Sequence, residues 1–186
     1  MNRCVFIVCL LLFCVPLAAS AQKLQVSTNA ALLACLGTLN AEIDYGVSQH
    51  WSVGAAGKYN PFSFEGGAAG SGFQMRQRSF AASARYWPWH IYSGWYLSGM
   101  LQWQEYNMGG IVSEQTEEGN RYGAGITAGY THMLGEHFNL EFGFGLWAGM
   151  KDYVVYACPT CGVRKDDGIK AFVMPNELII AVSYVF

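Results

Sequence analysis

The sequence predicts an all-β chain: an eight-stranded antiparallel up-and-down transmembrane β-barrel that follows an N-terminal signal peptide. Three observations predict it. Apolar residues recur at every second position over eight segments. The positions between them carry a nearly balanced set of charged and amide side chains. The connections between segments alternate in length, short and then long.

Composition agrees with this class. Of the 186 residues, 52% are hydrophobic, 15% aromatic and only 13% charged, which is too few charges for an ordinary soluble surface. The formal charge is -2, and residues 1–21 contribute only Arg3 to it, leaving ten basic against thirteen acidic side chains in the rest. Such a chain has no basic field to hold polyphosphate, so no nucleic-acid partner is expected. At this length a single domain is expected.

The first segment reads as a targeting signal. Arg3 precedes the apolar run from Val5 to Val15, then Pro16 and the small-residue end Ala19-Ser20-Ala21, the layout of a secretory signal peptide. Cleavage is expected before Gln22, dividing the chain into a signal peptide over 1–21 and a barrel domain over 22–186. The run is shorter than the ~20 residues a spanning helix needs, and Phe13 stands where lipid attachment at Cys14 would need a small residue. Three of the six cysteines leave with this peptide, and Cys35, Cys158 and Cys161 remain.

The strands follow in order. A weak alternation runs from Leu24 to Leu36. Leu39, Ala41, Ile43, Tyr45 and Val47 alternate with Asn40, Glu42, Asp44, Gly46 and Ser48, and Trp51, Val53, Ala55, Gly57 and Tyr59 with Ser52, Gly54, Ala56 and Lys58. Phe80 to Tyr86 is weaker. Trp95, Leu97, Leu101 and Trp103 face away from Tyr96, Ser98, Gln102 and Gln104, and a faint pattern spans Tyr122 to Tyr130. Phe138, Leu140, Phe142, Phe144 and Leu146 alternate with Asn139, Glu141, Gly143 and Gly145, a spacing that a helix would scatter around its axis. The last segment carries Leu178, Ile180, Val182, Tyr184 and Phe186.

Each segment suits the ~9 to 11 residues with which a tilted strand crosses a bilayer. Gln49-His50, Pro88 to Ser93 and Gly135 to His137 are short connections, whereas Asn60 to Gly72, Asn107 to Asn120 and Asp152 to Gly168 are long; Gly37-Thr38 is the exception. Short turns on one side and long loops on the other is the outer-membrane arrangement, with both chain ends in the periplasm.

On the polar faces, Glu42, Asp44 and Glu141 are opposed by Lys58, Arg85 and Lys151, with Gln102, Gln104 and Asn139 beside them. Each charge would cost ~2 to 4 kcal/mol if turned to lipid at the midplane, so these side chains are expected to form a network in the lumen. Eight strands enclose an interior just wide enough for side chains to fill, as in the small OmpA/OmpX-type barrels, so the interior is expected to be plugged rather than conducting. The rival assignment is the water-facing side of a soluble sandwich.

Aromatic residues fall at two levels. Trp51, Trp87, Trp89, Tyr92, Trp95, Phe138 and Phe186 gather at the short-turn ends, and Tyr59, Phe62, Phe73, Trp103, Tyr106, Tyr122 and Tyr153 near the long loops, which reads as two interfacial girdles. His50, His90, His132 and His137 all stand at or beside the short turns.

Chemical motifs are few. Cys158-Pro159-Thr160-Cys161 lies in the last long loop. A local disulfide is the plain reading in an exported chain, with free thiols or half a zinc site as alternatives. By parity Cys35 is an isolated thiol on the inner face of the first strand. The glycine-rich pieces lack the residues of a phosphate or dinucleotide fingerprint, and neither cofactor nor metal is expected. A lipid-modifying enzyme would need serine and histidine to converge, the nearest set being His132 or His137 with Ser79 or Ser183.

The ending, with Tyr184 and Phe186 in an alternating apolar series, resembles the C-terminal strand signal read by the bacterial barrel-assembly machinery. More broadly, Asn60-Pro61-Phe62, Arg85-Tyr86-Trp87, Tyr106-Asn107-Met108-Gly109-Gly110, Gly123-Ala124-Gly125 before Tyr130, and Tyr156-Ala157-Cys158-Pro159-Thr160-Cys161-Gly162 resemble a family of small outer-membrane barrels catalogued as a domain of unknown function. Its genes neighbour fimbrial genes in Bacteroidetes-like gut bacteria. The resemblance implies an accessory part in surface-fibre biogenesis and carries no catalytic residues. The expectation is therefore a non-enzymatic barrel in the outer membrane of a Gram-negative bacterium, in contact with lipid, assembled by the barrel machinery and presenting its loops to fimbrial or other surface proteins. A soluble periplasmic ligand-binding barrel is the alternative, and the lipid-modifying enzyme the third reading.

Overall fold

The structure, a computed structural model, describes residues 23–34, 37–64, 73–109, 115–158 and 162–186. The expected signal peptide, Cys35 and Cys161 lie outside the described residues. Eight antiparallel strands form a ring: β1 (Leu24–Asn29), β2 (Leu39–Gly46), β3 (Trp51–Asn60), β5 (Phe73–Tyr86), β6 (Gly94–Gly109), β7 (Thr116–Met133), β8 (Phe138–Tyr156) and β9 (Arg164–Val185). A two-residue strand, β4 (Ser63–Phe64), pairs with the start of β5. The ring closes where β9 pairs with β1 and β3 with β5. Among the described residues, no helix is long and apolar enough to cross a membrane.

The pairing is strongly staggered. The row that leaves β1 at Val26 passes through Ile43, Ala55, Ala82, Leu101, Ala124 and Ala148 and reaches β9 at Val173. Val26's own partner on β9 is Tyr184. The rows therefore climb toward the long-loop end as they go round, as tilted barrel strands require.

Alternation sets the two faces. Ile43, Val53, Phe80, Leu97, Leu101, Ile126, Phe142, Phe144, Leu178 and Ile180 are exposed on the outer face. Gln25, Asp44, Ser52, Arg85, Ser98, Gln102, Asn139, Glu141 and Ser183 are buried inside. A water-soluble barrel has these two distributions reversed.

Three sequence expectations need correction. The first strand stops at Asn29, and Ala30–Ala34 form a short helix, α1. Asn29 Oδ1 accepts a hydrogen bond from the Ala31 amide at 3.1 Å, an N-cap that favours the helical geometry of the following Ala-Ala-Leu-Leu-Ala run. The long connections are also largely strand: β6 runs to Gly109, β7 starts at Thr116, β8 runs to Tyr156 and β9 starts at Arg164. Backbone pairing continues there while polar residues such as Glu105, Asn107, Glu118 and Asp152 enter the outer face, so the apolar alternation fades before the strands end.

The third correction concerns the girdles. Trp51, Trp89, Trp95, Phe138 and Phe186 are exposed at the short-turn end, and Tyr59, Phe62, Trp103 and Tyr122 toward the other. Trp87, Tyr92 and Tyr106 are instead buried. Trp87 and Tyr92 pack with Ile91, Tyr96 and Val185. Trp87 Nε1 donates to Ser52 Oγ at 3.0 Å, and the Tyr92 hydroxyl lies 2.9 Å from the Lys23 carbonyl and 3.1 Å from that of Asp44. These bonds hold Tyr92 in a left-handed backbone conformation, φ 63°, which a bulky residue adopts only under such constraint. The 87–93 connection thus folds inward and stops the short-turn end of the barrel.

Candidate functional site

The interior carries charge in three layers. In the lowest, Arg85 on β5 meets three carboxylates: Glu42 Oε1 at 2.5 Å, Asp44 Oδ1 at 3.4 Å and Glu141 Oε2 at 3.1 Å. Gln25 Nε2 donates to the other oxygen of Glu141. The guanidinium also stands over the Tyr96 ring, 5.0 Å from its centroid, a favourable site for a delocalised cation. Arg85 reaches several partners at once because its donors diverge in a planar fork.

Two glycines make room for this layer. A Cβ on Gly54 would lie 2.3 Å from Asp44 Oδ1, and one on Gly129 would lie 2.5 Å from the Tyr96 hydroxyl. The bare backbone at these positions is what lets the side chains cross a narrow interior.

Above it, Lys58 on β3 pairs with Glu177 on β9 at 2.8 Å. In the uppermost layer Glu117 Oε1 accepts from Lys151 Nζ at 2.6 Å and from the Tyr106 hydroxyl at 2.6 Å, and lies 3.6 Å from Arg121 Nη2. The Arg121 guanidinium sits 3.6 Å from the centroid of the Tyr106 ring. Burial raises the pKa of Glu117, but the bonds from Lys151 and Tyr106 and the charges of Lys151 and Arg121 outweigh it and hold the carboxyl below its ordinary value. Gln104 Nε2 bonds Gln77 Oε1 at 2.5 Å, and Trp147 packs against Phe172 with centroids 4.6 Å apart.

Between the lower two layers lies a cavity of about 50 Å³, lined among others by Glu42, Lys58, Arg85, Tyr96, Gln102 and Glu177. Its lining mixes these polar groups with apolar ones such as Met100 and Ile179, and it has room for a few waters only. The Tyr96 hydroxyl and Gln102 Oε1, both buried, have no hydrogen-bond partner among the described residues. Among those residues no group of three or more His, Cys, Asp or Glu side chains is placed to hold a metal ion.

Of the interior residues read from sequence, Glu42, Asp44, Arg85 and Glu141 come together, Lys58 and Lys151 go to separate layers, and Gln102 and Gln104 line the wall of β6. Gln25, Glu117, Arg121, Glu177 and Trp147 were not anticipated. Cys158 is disulfide-bonded. Tyr184 stacks on His137 at 5.4 Å and meets Phe138 and Phe186 edge-on at 5.1 and 4.7 Å. For the serine and histidine set, His137 Nδ1 is bound to the Val185 carbonyl at 2.9 Å. Ser79 and Ser183 are buried on inner faces, while His132 is exposed.

The outer face changes character above Trp103. Arg78 bonds Glu105 and stands 5.8 Å from the Trp103 ring centroid, and Asn107 Nδ2 donates to Glu118 at 3.0 Å. A groove of about 460 Å³ runs here, lined by Tyr59, Arg76, Arg78, Glu105, Asn107 and Glu118 among others.

In a comparison with known families, a family model described as "Protein of unknown function (DUF3575)" matches residues 5–186. No curated protein matches the chain.

Proposed function

This chain belongs to the DUF3575 family of proteins of unknown function, and we propose that it is a non-enzymatic outer-membrane barrel that spans the bilayer, stays closed, and presents its long hairpins to surface partners. One observation carries the reading: the polarity of the barrel is inverted relative to a soluble protein. Leu101 at the middle of the outer face is 68% exposed, whereas Asp44 and Glu141 inside are 0% and 1% exposed. Apolar surface continuous around a ring is a large penalty in water and the requirement in lipid. Strands can cross there because a closed ring lets neighbouring strands satisfy one another's backbone groups.

Several features support the rest. The exposed Trp51, Trp95 and Phe138 at one end and Tyr59, Trp103 and Tyr122 toward the other suit the two interfaces of a bilayer. Lys23 and Phe186 lie side by side at the short-turn end, since the Phe186 amide donates to the Leu24 carbonyl at 2.8 Å; in this reading that end is periplasmic, and Tyr184 and Phe186 serve the assembly machinery. The ionic layers and the inward 87–93 connection favour a plug over a channel. Loop presentation is the role left to a closed barrel, and surface-fibre proteins are the partner class implied by the resemblance to fimbrial-gene neighbours.

Fractionation followed by electrophoresis tests the reading. The chain should appear in the outer-membrane fraction and migrate differently before and after boiling in detergent. Recovery from the soluble extract without detergent would contradict it.

A further inference from the structure

β9 is long, and only its lower part has neighbours on both sides. Toward β8 it is paired from Tyr184 to Arg164. Toward β1 the pairing covers Ala181 to Val185. The Asn29 side chain extends that edge a little: its Nδ2 donates to the Leu178 carbonyl at 3.0 Å, and its Oδ1 accepts from the Ile180 amide at 3.2 Å. From Arg164 to Glu177 no strand among the described residues pairs with β9 on this side. The cause lies in the sequence at Asn29, which caps α1 and ends the strand that would otherwise have continued upward along β9.

The free edge has a definite chemistry. The Phe186 amide donates to Leu24 on β1 and the Val185 amide to His137 on the β8 side. Outward-pointing residues of β9 therefore turn their backbone groups toward β1, and inward-pointing residues toward β8. Phe172 packs on the inward Trp147, so Ile169, Ala171 and Val173 point outward and turn their N–H and C=O groups to the side on which no strand among the described residues pairs with them. Pro175, next in that series, has no N–H to leave unpaired. Ile169 and Val173 are 70% and 79% exposed. Because the rows climb toward β9, they stand above the level of Trp103 and outside the apolar belt. Between them Lys170 points inward, in register with Lys151, whose ammonium is already held by Glu117.

We propose that this edge docks an extended segment of a partner protein, which joins the sheet as one more strand beside β9. The segment carries apolar residues at alternate positions, set beside Ile169, Ala171 and Val173, and a carboxylate between them that faces Lys170. Main-chain hydrogen bonds supply the affinity and the alternate side chains the specificity, as in other strand-addition complexes. A second copy fits poorly: two upright barrels would lay β9 parallel to β9 and bring Lys170 beside Lys170, where like charges oppose pairing. Lys165, Asp166 and Asp167, with Pro175 at the other end, guard the edge against indiscriminate pairing. The inference rests on the proposed function, because it places this edge on the cell exterior.

The test uses the full chain folded in detergent micelles and a labelled ten-residue peptide alternating valine with glutamate. The peptide should bind saturably and slow hydrogen exchange at Ile169, Ala171 and Val173. Ala171→Pro removes one edge N–H and leaves the β8 bonds intact, so it should weaken binding at least tenfold. Lys170→Glu should do the same, and both variants should keep heat-modifiable migration. The proposal is overturned if the peptide does not bind, if Ala171→Pro binds it equally well, if a valine–lysine peptide binds as tightly, or if Val173→Cys chains crosslink to one another through this edge. Failure of the membrane reading would show separately, as wild-type chain in the soluble fraction.

Discussion

Arg85 Nη1 lies 3.1 Å from Glu141 Oε2, so a guanidinium rooted on β5 reaches a carboxylate rooted on β8 through the interior of the ring. With Glu42 and Asp44 on β2, one cation ties three acids on two other strands. This layer cross-links three strands through the interior, and it is lopsided in charge.

Removing that cation should be severe. Arg85→Met leaves the buried carboxylates of Asp44 and Glu141 and the half-buried one of Glu42 without their partner, a change of about 3 to 5 kcal/mol for a broken buried pair. Adding Glu141→Gln and Glu42→Gln should recover much of the loss. Urea unfolding of the refolded barrel, followed by heat-modifiable migration, measures both; a single variant as stable as wild type would show that the layer contributes nothing.

The outer face predicts a dependence on depth. Leu101→Arg, at mid-belt, should cost ~2 to 4 kcal/mol and reduce assembled barrel, whereas Ile169→Arg, above the belt, should cost little. Levels of folded protein in the outer membrane report the comparison, and equal tolerance at the two positions would remove the assigned belt.

Glu117 predicts how the upper layer responds to pH. Its pKa is lowered in the folded chain, so its contribution is complete above the ordinary carboxylate value and fades as pH falls through the lowered one. Denaturation midpoints between pH 7 and pH 3 should therefore drop more for wild type than for Glu117→Gln. Parallel curves would contradict the assignment.

Cys158 lies at the tip of the β8–β9 hairpin, and its disulfide ties only that tip in this account. Cys158→Ser or reduction should leave barrel unfolding unchanged while speeding proteolytic nicking between Tyr156 and Arg164. A large fall in barrel stability would show that the bond reaches further.

Much of this architecture was legible as alternation. Phe138 to Leu146 could be assigned to faces because each outward residue is large and each inward one polar or small, and Trp95, Leu97, Leu101 and Trp103 set the phase of β6 although Gly99 lies among them and Met100 opposite. The same reasoning placed Glu42, Asp44, Arg85 and Glu141 on inner faces without showing that one guanidinium would gather the three acids. Asn29 was opaque: its side chain serves as cap and edge partner at once, and a count in twos runs straight through α1. The upper part of β9 was hidden because the pairing shifts between Gly145 and Leu146: Glu177 still follows the alternation of Leu178 to Phe186, but beyond it the phase is reset, and Phe172 faces inward where a count in twos would turn it out. Trp87, Tyr92 and Tyr106 show a different limit, since an aromatic ring suits an interface and a packed interior equally well, and the neighbours that choose between them are distant in the chain.

The central claim is that the apolar face of the ring meets hydrocarbon, and spin-label accessibility along β6 tests it most directly. Single nitroxides at positions 96 to 105, in chain reconstituted into lipid vesicles, are compared for collisions with oxygen and with a water-soluble nickel chelate. The account predicts oxygen maxima and chelate minima at Leu97, Leu101 and Trp103, with low access to both at Tyr96, Ser98 and Gln102. High chelate access at Leu97 and Leu101 would place that face in water and contradict it.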